Sequence, residues 1–125
     1  MAKTLKTLLL ALALSSYGNV ALAHAEHGQP QYGGVVAEAG EAQIEIVSKG
    51  GQLTAYLTSH GNPVPAAGAT GKLIAMAGTT KSEFELKATG DTRLQGAGSI
   101  PAGAKLLITV QWPGKKPLQA RAVMR

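Results

Sequence analysis

The chain contains no cysteine, which excludes disulfide bonds, thiolate metal sites and cysteine nucleophiles. Aromatic residues make up only 4% of the sequence, with one Trp and one Phe, so there are too few rings for a stacking surface on nucleic acid or polysaccharide. The 12 Lys and Arg and the 7 Asp and Glu are scattered without a block of one sign. This pattern does not indicate a basic face for nucleic acid. Because no disulfide can form, the stability of the fold must come from core packing and hydrogen-bonded strands.

The sequence also lacks an apolar run long enough to cross a bilayer, which needs about 20 residues. The apolar run near the N-terminus covers residues 8–14, follows Lys3 and Lys6, and is followed by a polar stretch and then Ala21-Leu22-Ala23. A basic start, a short apolar centre and small residues before a cut are typical of a secretory signal. The sequence therefore predicts that residues 1–23 are a cleaved signal peptide, that the protein is exported to the periplasm, and that it has no membrane attachment after cleavage.

Two overlapping small-x-small patterns leave two possible cleavage sites. Cleavage after Ala23 makes His24 the first residue, whereas cleavage after Ala25 makes Glu26 the first. We predict the first site, and the second stays open. Losing residues 1–23 removes two lysines and lowers the formal net charge from +5 to +3. The remainder is predicted to be a His-containing arm, residues 24–32, and one β domain, residues 33–125.

Apolar residues in that domain recur with a period of two, which is typical of half-buried strands. In the segment 82–88, for example, Phe84 and Leu86 alternate with Glu83 and Glu85, and the segments 43–47, 52–59, 105–112 and 118–124 are likewise predicted to turn alternate residues inward. Gly and Pro turn signals separate such segments at intervals of roughly eight to twelve residues. The pattern predicts an all-β fold, an antiparallel sandwich of about seven strands.

The three histidines are the candidate metal ligands: His24, His27 and His60. An N-terminal His24 would chelate a metal through its free amine and its ring Nδ1, and one more imidazole, from His27 or His60, would complete a nitrogen set suited to Cu(II). We therefore expect one copper ion, with zinc as second choice. Glu26 is a possible oxygen ligand. The alternatives are that His24 and His27 form a solvated tail and that His60 is a polar turn residue.

Other groups that often carry chemistry are assigned to structure. Met76 and Met124 lie in apolar strands and are predicted to fill the core, and Trp112 is predicted to be a core or edge aromatic. No glycine-framed serine or phosphate-binding glycine loop is present, so we do not expect an enzyme. Four acidic residues are predicted to lie on solvated strand faces without forming a catalytic pair: Glu41, Glu45, Glu83 and Glu85.

Four segments carry a family resemblance: YGGVV at 32–36, QIEIV at 43–47, LTAYL at 53–57 and HGNPV at 60–64. With its His-containing start, the chain resembles a family of small exported bacterial proteins. It is also similar to the N-terminal immunoglobulin-like segment of periplasmic adaptors of heavy-metal efflux pumps of the resistance-nodulation-division type. The resemblance covers nearly the whole predicted mature chain. It implies an immunoglobulin-like fold and a setting in metal resistance or copper handling.

The sequence has none of the helical-hairpin, lipoyl-like or barrel segments with which an adaptor bridges membranes, so we expect an accessory protein. Two functional hypotheses follow. In the first, the protein handles copper or zinc through His24, His27 and His60, in connection with a heavy-metal efflux component. In the second, it binds no metal and docks onto an envelope efflux component through a strand edge. Neither hypothesis involves nucleic acid or a membrane partner.

Overall fold

The computed structural model describes residues 28–125 and forms an antiparallel sheet of nine strands. The predicted signal peptide, both candidate cleavage sites, His24 and His27 lie outside the described residues. In residues 28–125 there is no helix with the length and apolar character needed to span a membrane. The strands are β1 (Val35–Ala39), β2 (Ala42–Lys49), β3 (Gln52–Ser59), β4 (Asn62–Pro63), β5 (Thr70–Ala77), β6 (Thr80–Thr89), β7 (Arg93–Ala97), β8 (Lys105–Gln111) and β9 (Leu118–Val123).

All strands belong to one sheet, in the order β1-β2-β3-β7-β6-β5-β8-β9, with the short β4 paired to the end of β3. The sheet curls until its two edge strands, β1 and β9, lie side by side, so that it nearly closes into a barrel. At one end β1, β3 and β8 finish while β2 and β9 begin. We call this the Trp112 end, because Trp112 directly follows β8 there.

The period-two pattern determines which side chains fill the interior of the sheet. Alternate residues along β2, β3, β8 and β9 point inward as predicted, and Leu86 of β6 is buried with them. Phe84 packs against the same core but is only partly buried. The largest fully buried side chains are Ile44, Ile46, Leu53, Leu73, Leu86, Leu94, Ile108 and Val110. Burying such side chains is the main favourable contribution to folding here, since there is no disulfide.

The all-β antiparallel prediction is confirmed, but the arrangement of strands differs from the predicted one. About seven strands in two sheets were predicted, whereas the described residues contain nine strands in a continuous sheet. The strand that makes it continuous is β7, which pairs with β3 over residues 52–56 and with β6 over residues 87–89. Its sequence, RLQGA, has one large apolar residue and a glycine, so its pattern did not indicate a strand.

Candidate functional site

The carboxylate of Glu45 is buried on the outer face of β2, beneath the segment that precedes β1. Its side chain points away from the core because both of its neighbours in β2 point inward, yet Glu45 is only 6% exposed. One carboxylate oxygen accepts a hydrogen bond from the backbone N–H of Gln31 at 2.6 Å, and the other accepts from Tyr32 at 2.8 Å and Gly34 at 2.9 Å. Hydrogen bonds to a carboxylate are stronger than those to neutral acceptors. We call these three contacts the Glu45 clamp.

The pair Gly33-Gly34 allows the chain to fold over Glu45. Gly33 has φ of +78°, a left-handed conformation that a residue with a side chain adopts only at a cost. Gly34 has a different role, since a β-carbon there would lie 2.3 Å from the carbonyl oxygen of Ile46 and 2.8 Å from Cγ2 of Val47. The first glycine thus turns the chain, and the second lets it approach β2 closely enough to reach Glu45.

The aromatic rings of Tyr32 and Tyr56 reinforce the clamp. Tyr56 is the residue of β3 directly opposite Glu45, so its ring lies on the same outer face of the sheet. The two rings are stacked, with centroids 3.8 Å apart and planes inclined by 11°. Tyr32 remains 54% exposed, so one face of its ring is covered and much of the rest meets solvent. The arm is therefore held to the sheet by backbone hydrogen bonds and by an aromatic contact.

From the clamp, the arm continues backwards in sequence toward the Trp112 end. Gln29 borders a small surface pocket together with Gln43 and Thr58, which form the next outward-facing row of the sheet. A β-carbon placed on Gly28 would lie 3.1 Å from Oε1 of Glu38, the partner of Gln43 in β1. The arm thus passes from the Glu45 row to the Gln43 row along the outside of the sheet. The next row in the same direction contains the turns at the Trp112 end.

His60 lies in one of those turns, between the paired residues Ser59 and Asn62. Its φ is +52° and that of Gly61 is +79°, which are the positive values of a type I′ hairpin turn. His60 is the one non-glycine residue in residues 28–125 with positive φ. Asn and Asp are the usual non-glycine choices for this conformation, and His also occurs in it above average. The turn holds the imidazole on a rigid hairpin at the surface.

The nearest charged partner of His60 is Glu41, in the turn between β1 and β2. Nε2 of His60 lies 3.5 Å from a carboxylate oxygen of Glu41, and the side chains are 69% and 83% exposed. The hydroxyl of Ser59 donates a hydrogen bond of 3.3 Å to the backbone carbonyl of Glu41, which ties the two turns together. An exposed pair of this kind contributes about 0–1 kcal/mol. Both side chains are consequently open to another partner, and together they offer one nitrogen and one carboxylate donor.

Of the three predicted ligands, His60 alone lies in the described part of the chain, and His24 and His27 lie outside it. Within residues 28–125 no three His, Cys, Asp or Glu side chains are arranged to hold a metal ion. The structure brings His60 and Glu41 together. Gly28, the first described residue of the arm, lies one row away from this pair, and His27 precedes Gly28 in the sequence. Glu41 was not among the predicted ligands, and its exposed position agrees with its predicted place on a solvated face.

Two predictions about the burial of single residues were wrong. Glu45 was predicted to be solvated, but the arm covers it, and the sequence gives no signal for this because its partners are backbone amides. Met76 was predicted to fill the core, but it is 38% exposed on the outward face of β5, where it follows the inward Ala75. Met124 is buried as predicted, and Trp112 is partly buried against the core.

No protein-family model, curated protein or solved structure matches the chain. Function is therefore inferred from the geometry of the arm, of Glu45 and of the His60 turn.

Proposed function

We propose that the protein is an exported metal-binding accessory protein that handles copper, with zinc as second choice, through His24, His27 and His60. The observation that supports this most directly is the path of the arm. The Glu45 clamp holds residues 31–34 on the outer face of the sheet, and residues 28 and 29 continue toward the turn that carries His60. A histidine directly before Gly28 would thus be tethered near a histidine on a rigid turn.

The donor set favours copper. With cleavage after Ala23, His24 supplies its amine and ring Nδ1, and an imidazole from His27 or His60 supplies the third nitrogen. Glu41, with a carboxylate oxygen 3.5 Å from Nε2 of His60, adds an oxygen ligand that can coordinate either Cu(II) or Zn(II). A site assembled from a tethered arm and a rigid turn has one preorganised half, and binding must order only the other half.

The proposed setting is the periplasm. Its support is the sequence of residues 1–23, with a basic start, a short apolar run and small residues before the cut, together with the resemblance of residues 32–64 to the adaptor segment. In the immunoglobulin-like interpretation, the strands form two halves, β1-β2-β3-β7 and β6-β5-β8-β9. This division falls where the pairing is shorter, since three residue pairs join β6 to β7 and five join β3 to β7. The proposed protein partner is a component of a heavy-metal efflux system.

One observation favours the second hypothesis, a docking module that binds no metal. In the described residues no strand ladder joins β1 to β9, so the barrel has a seam with two strand edges along it. An added strand from a partner protein could pair with such an edge. In that case the protein would bind an efflux component without taking up metal.

Calorimetric titration of the exported protein with Cu(II) and Zn(II) tests the metal proposal. We expect about one ion per chain. Adding one residue ahead of His24 blocks the chelating amine and should weaken binding by on the order of tenfold or more, since losing a group that merely supports a ligand already has that effect. His60→Asn keeps a residue suited to the turn but removes the imidazole, and should also weaken binding.

Lys49→Gln, at the opposite end of the sheet, is the control and should leave the affinity unchanged. Intact-mass measurement of the same sample establishes whether the chain starts at His24 or Glu26. A Glu26 start excludes the amine chelate, and equal Cu(II) affinity in all variants would contradict the proposed site. A protein that takes up neither ion would leave the docking hypothesis in its place.

A further inference from the structure

A groove at the Trp112 end combines an apolar lining with a pair of lysines. Its volume is about 600 Å³, within the range of roughly 300–1,000 Å³ typical of small-molecule sites. Apolar side chains make up more than half of its lining: Ala39, Val64, Pro65, Ala67, Trp112 and Leu118. The polar lining consists of Lys115 and Lys116, from the segment between β8 and β9, and of Glu41 and Ser59, from a neighbouring turn and strand end, and Ala42 adds one more apolar side chain.

The indole of Trp112 is fixed in this groove. Its Nε1–H donates a hydrogen bond of 3.2 Å to the carbonyl of Pro65, so its polar atom is satisfied by the protein. The ring lies partly against the core and partly on the groove surface. A ligand in the groove would therefore meet an indole held in one orientation and would not have to displace the indole hydrogen bond.

The backbone that carries the two lysines is also held in place. The side-chain amide of Gln111 donates to the carbonyl of Lys115 at 3.1 Å, and the N–H of Lys115 donates to the carbonyl of Trp112 at 3.3 Å. These bonds form a closed turn from which Lys115 and Lys116 extend. In the described residues neither lysine takes part in an ion pair. A fixed aromatic surface next to two ammonium groups is complementary to a molecule that is apolar along its length and negatively charged at one end.

We propose that this groove binds a small apolar anion, a carboxylate with an alkyl or aromatic body. The apolar body lies along Trp112, Val64 and Leu118, and the carboxylate lies near Lys115 and Lys116. Glu41 repels the anion and so directs the charged end toward the lysines. This site uses none of His24, His27 and His60, but it shares Glu41 with the proposed metal site, so its test is made with metal removed.

Octanoate is a suitable probe, and the fluorescence of Trp112, the sole Trp of the chain, is the readout. With EDTA present to remove metal, titration of octanoate into the purified protein should change the Trp112 emission saturably. The double variant Lys115→Gln/Lys116→Gln should bind about two- to thirtyfold more weakly, because it removes two exposed ion pairs, each of which contributes only a small stabilisation. Glu41→Gln should bind about twofold more tightly, because a like charge is removed.

Lys49→Gln also removes a positive charge, but at the far end of the sheet, and should leave the octanoate affinity unchanged. Octanol, with the same chain but no charge, should bind equally to the parent protein and to the lysine double variant. Added salt should weaken octanoate binding and leave octanol binding unchanged. Equal octanoate affinity in the parent and the double variant, or no saturable change in Trp112 emission, would overturn the proposal.

Discussion

Tyr32 and Tyr56 stack face to face on the outside of the sheet, with ring centroids 3.8 Å apart. One ring belongs to the segment before β1 and the other to β3, and the buried carboxylate of Glu45, the residue of β2 opposite Tyr56, accepts a hydrogen bond from the backbone N–H of Tyr32. Residues 31–34 are thereby packed on the sheet although they form no strand. This packing places the start of the described chain on the same face as the His60–Glu41 pair.

Replacing Glu45 with Gln should release the arm while the sheet stays folded. A neutral amide has one oxygen acceptor, and its NH₂ group would face backbone donors, so at least one of the three N–H groups loses its partner. Leaving a buried donor unsatisfied costs about 1–3 kcal/mol. Amide hydrogen exchange should then become faster at Gln31, Tyr32 and Gly34 and remain slow in β8.

The matched control is Glu85→Gln, which removes a carboxylate from an exposed position of β6. Its effect on stability should stay within about 0.5 kcal/mol, the range of ordinary surface substitutions. Unchanged exchange at the three arm amides in Glu45→Gln would show that the clamp does not hold the arm in solution.

Replacing Gly34 with Ala should have the same consequence by a steric route. A methyl group there would lie 2.3 Å from the carbonyl oxygen of Ile46, which belongs to the backbone of β2 and cannot move aside. The arm must therefore move outward, and the near-ultraviolet dichroism of the stacked tyrosines should decrease. Gly40→Ala is the control, because its methyl group meets no atom within 4 Å and its φ of +61° imposes only a conformational cost of about 1–2 kcal/mol. A tyrosine signal lost equally in both variants would contradict the steric explanation.

The fold was predictable from the sequence to the extent that single strands carry their own pattern. Alternation assigned the inward side chains of β2, β3 and β8, because each of these strands has one buried and one exposed face. The pattern could not predict β7, since Leu94 is its one large apolar residue and its pairing with β3 spans a long stretch of sequence. The continuous sheet therefore became visible only in the structure.

The candidate site was predictable in part, for a similar reason. His60 was identified as a candidate by its residue type, and the structure places it in the turn between β3 and β4, directly before Gly61. Glu45 was assigned to solvent, because alternation gives the direction of a side chain but not what covers it. The partner of His60 could not be inferred either, since Glu41 comes from another hairpin and meets His60 only through the register of β2 and β3.

His60 should be a costly residue for its turn, and His60→Asn should leave the protein at least as stable as the parent. Asn is favoured at the first central position of a type I′ turn, where His60 has φ of +52°. His60→Ala should be less stable than His60→Asn by about 1 kcal/mol, because Ala has no local hydrogen bond to compensate for the left-handed conformation. Thermal unfolding of the three proteins measures this order. An Ala variant as stable as the Asn variant would mean that the turn does not hold this conformation in solution.

The last prediction links the clamp to the proposed metal site. The Gln43 row lies between Glu45 and the turn that carries His60. Glu45 is not a proposed ligand, so its role in metal binding would be to position the arm. Releasing the arm in Glu45→Gln leaves every imidazole, the amine and Glu41 in the chain but removes the tether that concentrates the arm near His60. Cu(II) affinity should therefore fall in Glu45→Gln and stay unchanged in Glu85→Gln.

Combining Glu45→Gln with His60→Asn should weaken binding little more than His60→Asn alone, because the tether matters only while His60 is a ligand. In the parent protein, binding should weaken as the pH is lowered, since protons compete with the metal for imidazole and amine nitrogens. Calorimetric titration of the four variants decides the question, and fully additive losses in the double variant would show that Glu45 does not act through the His60 site.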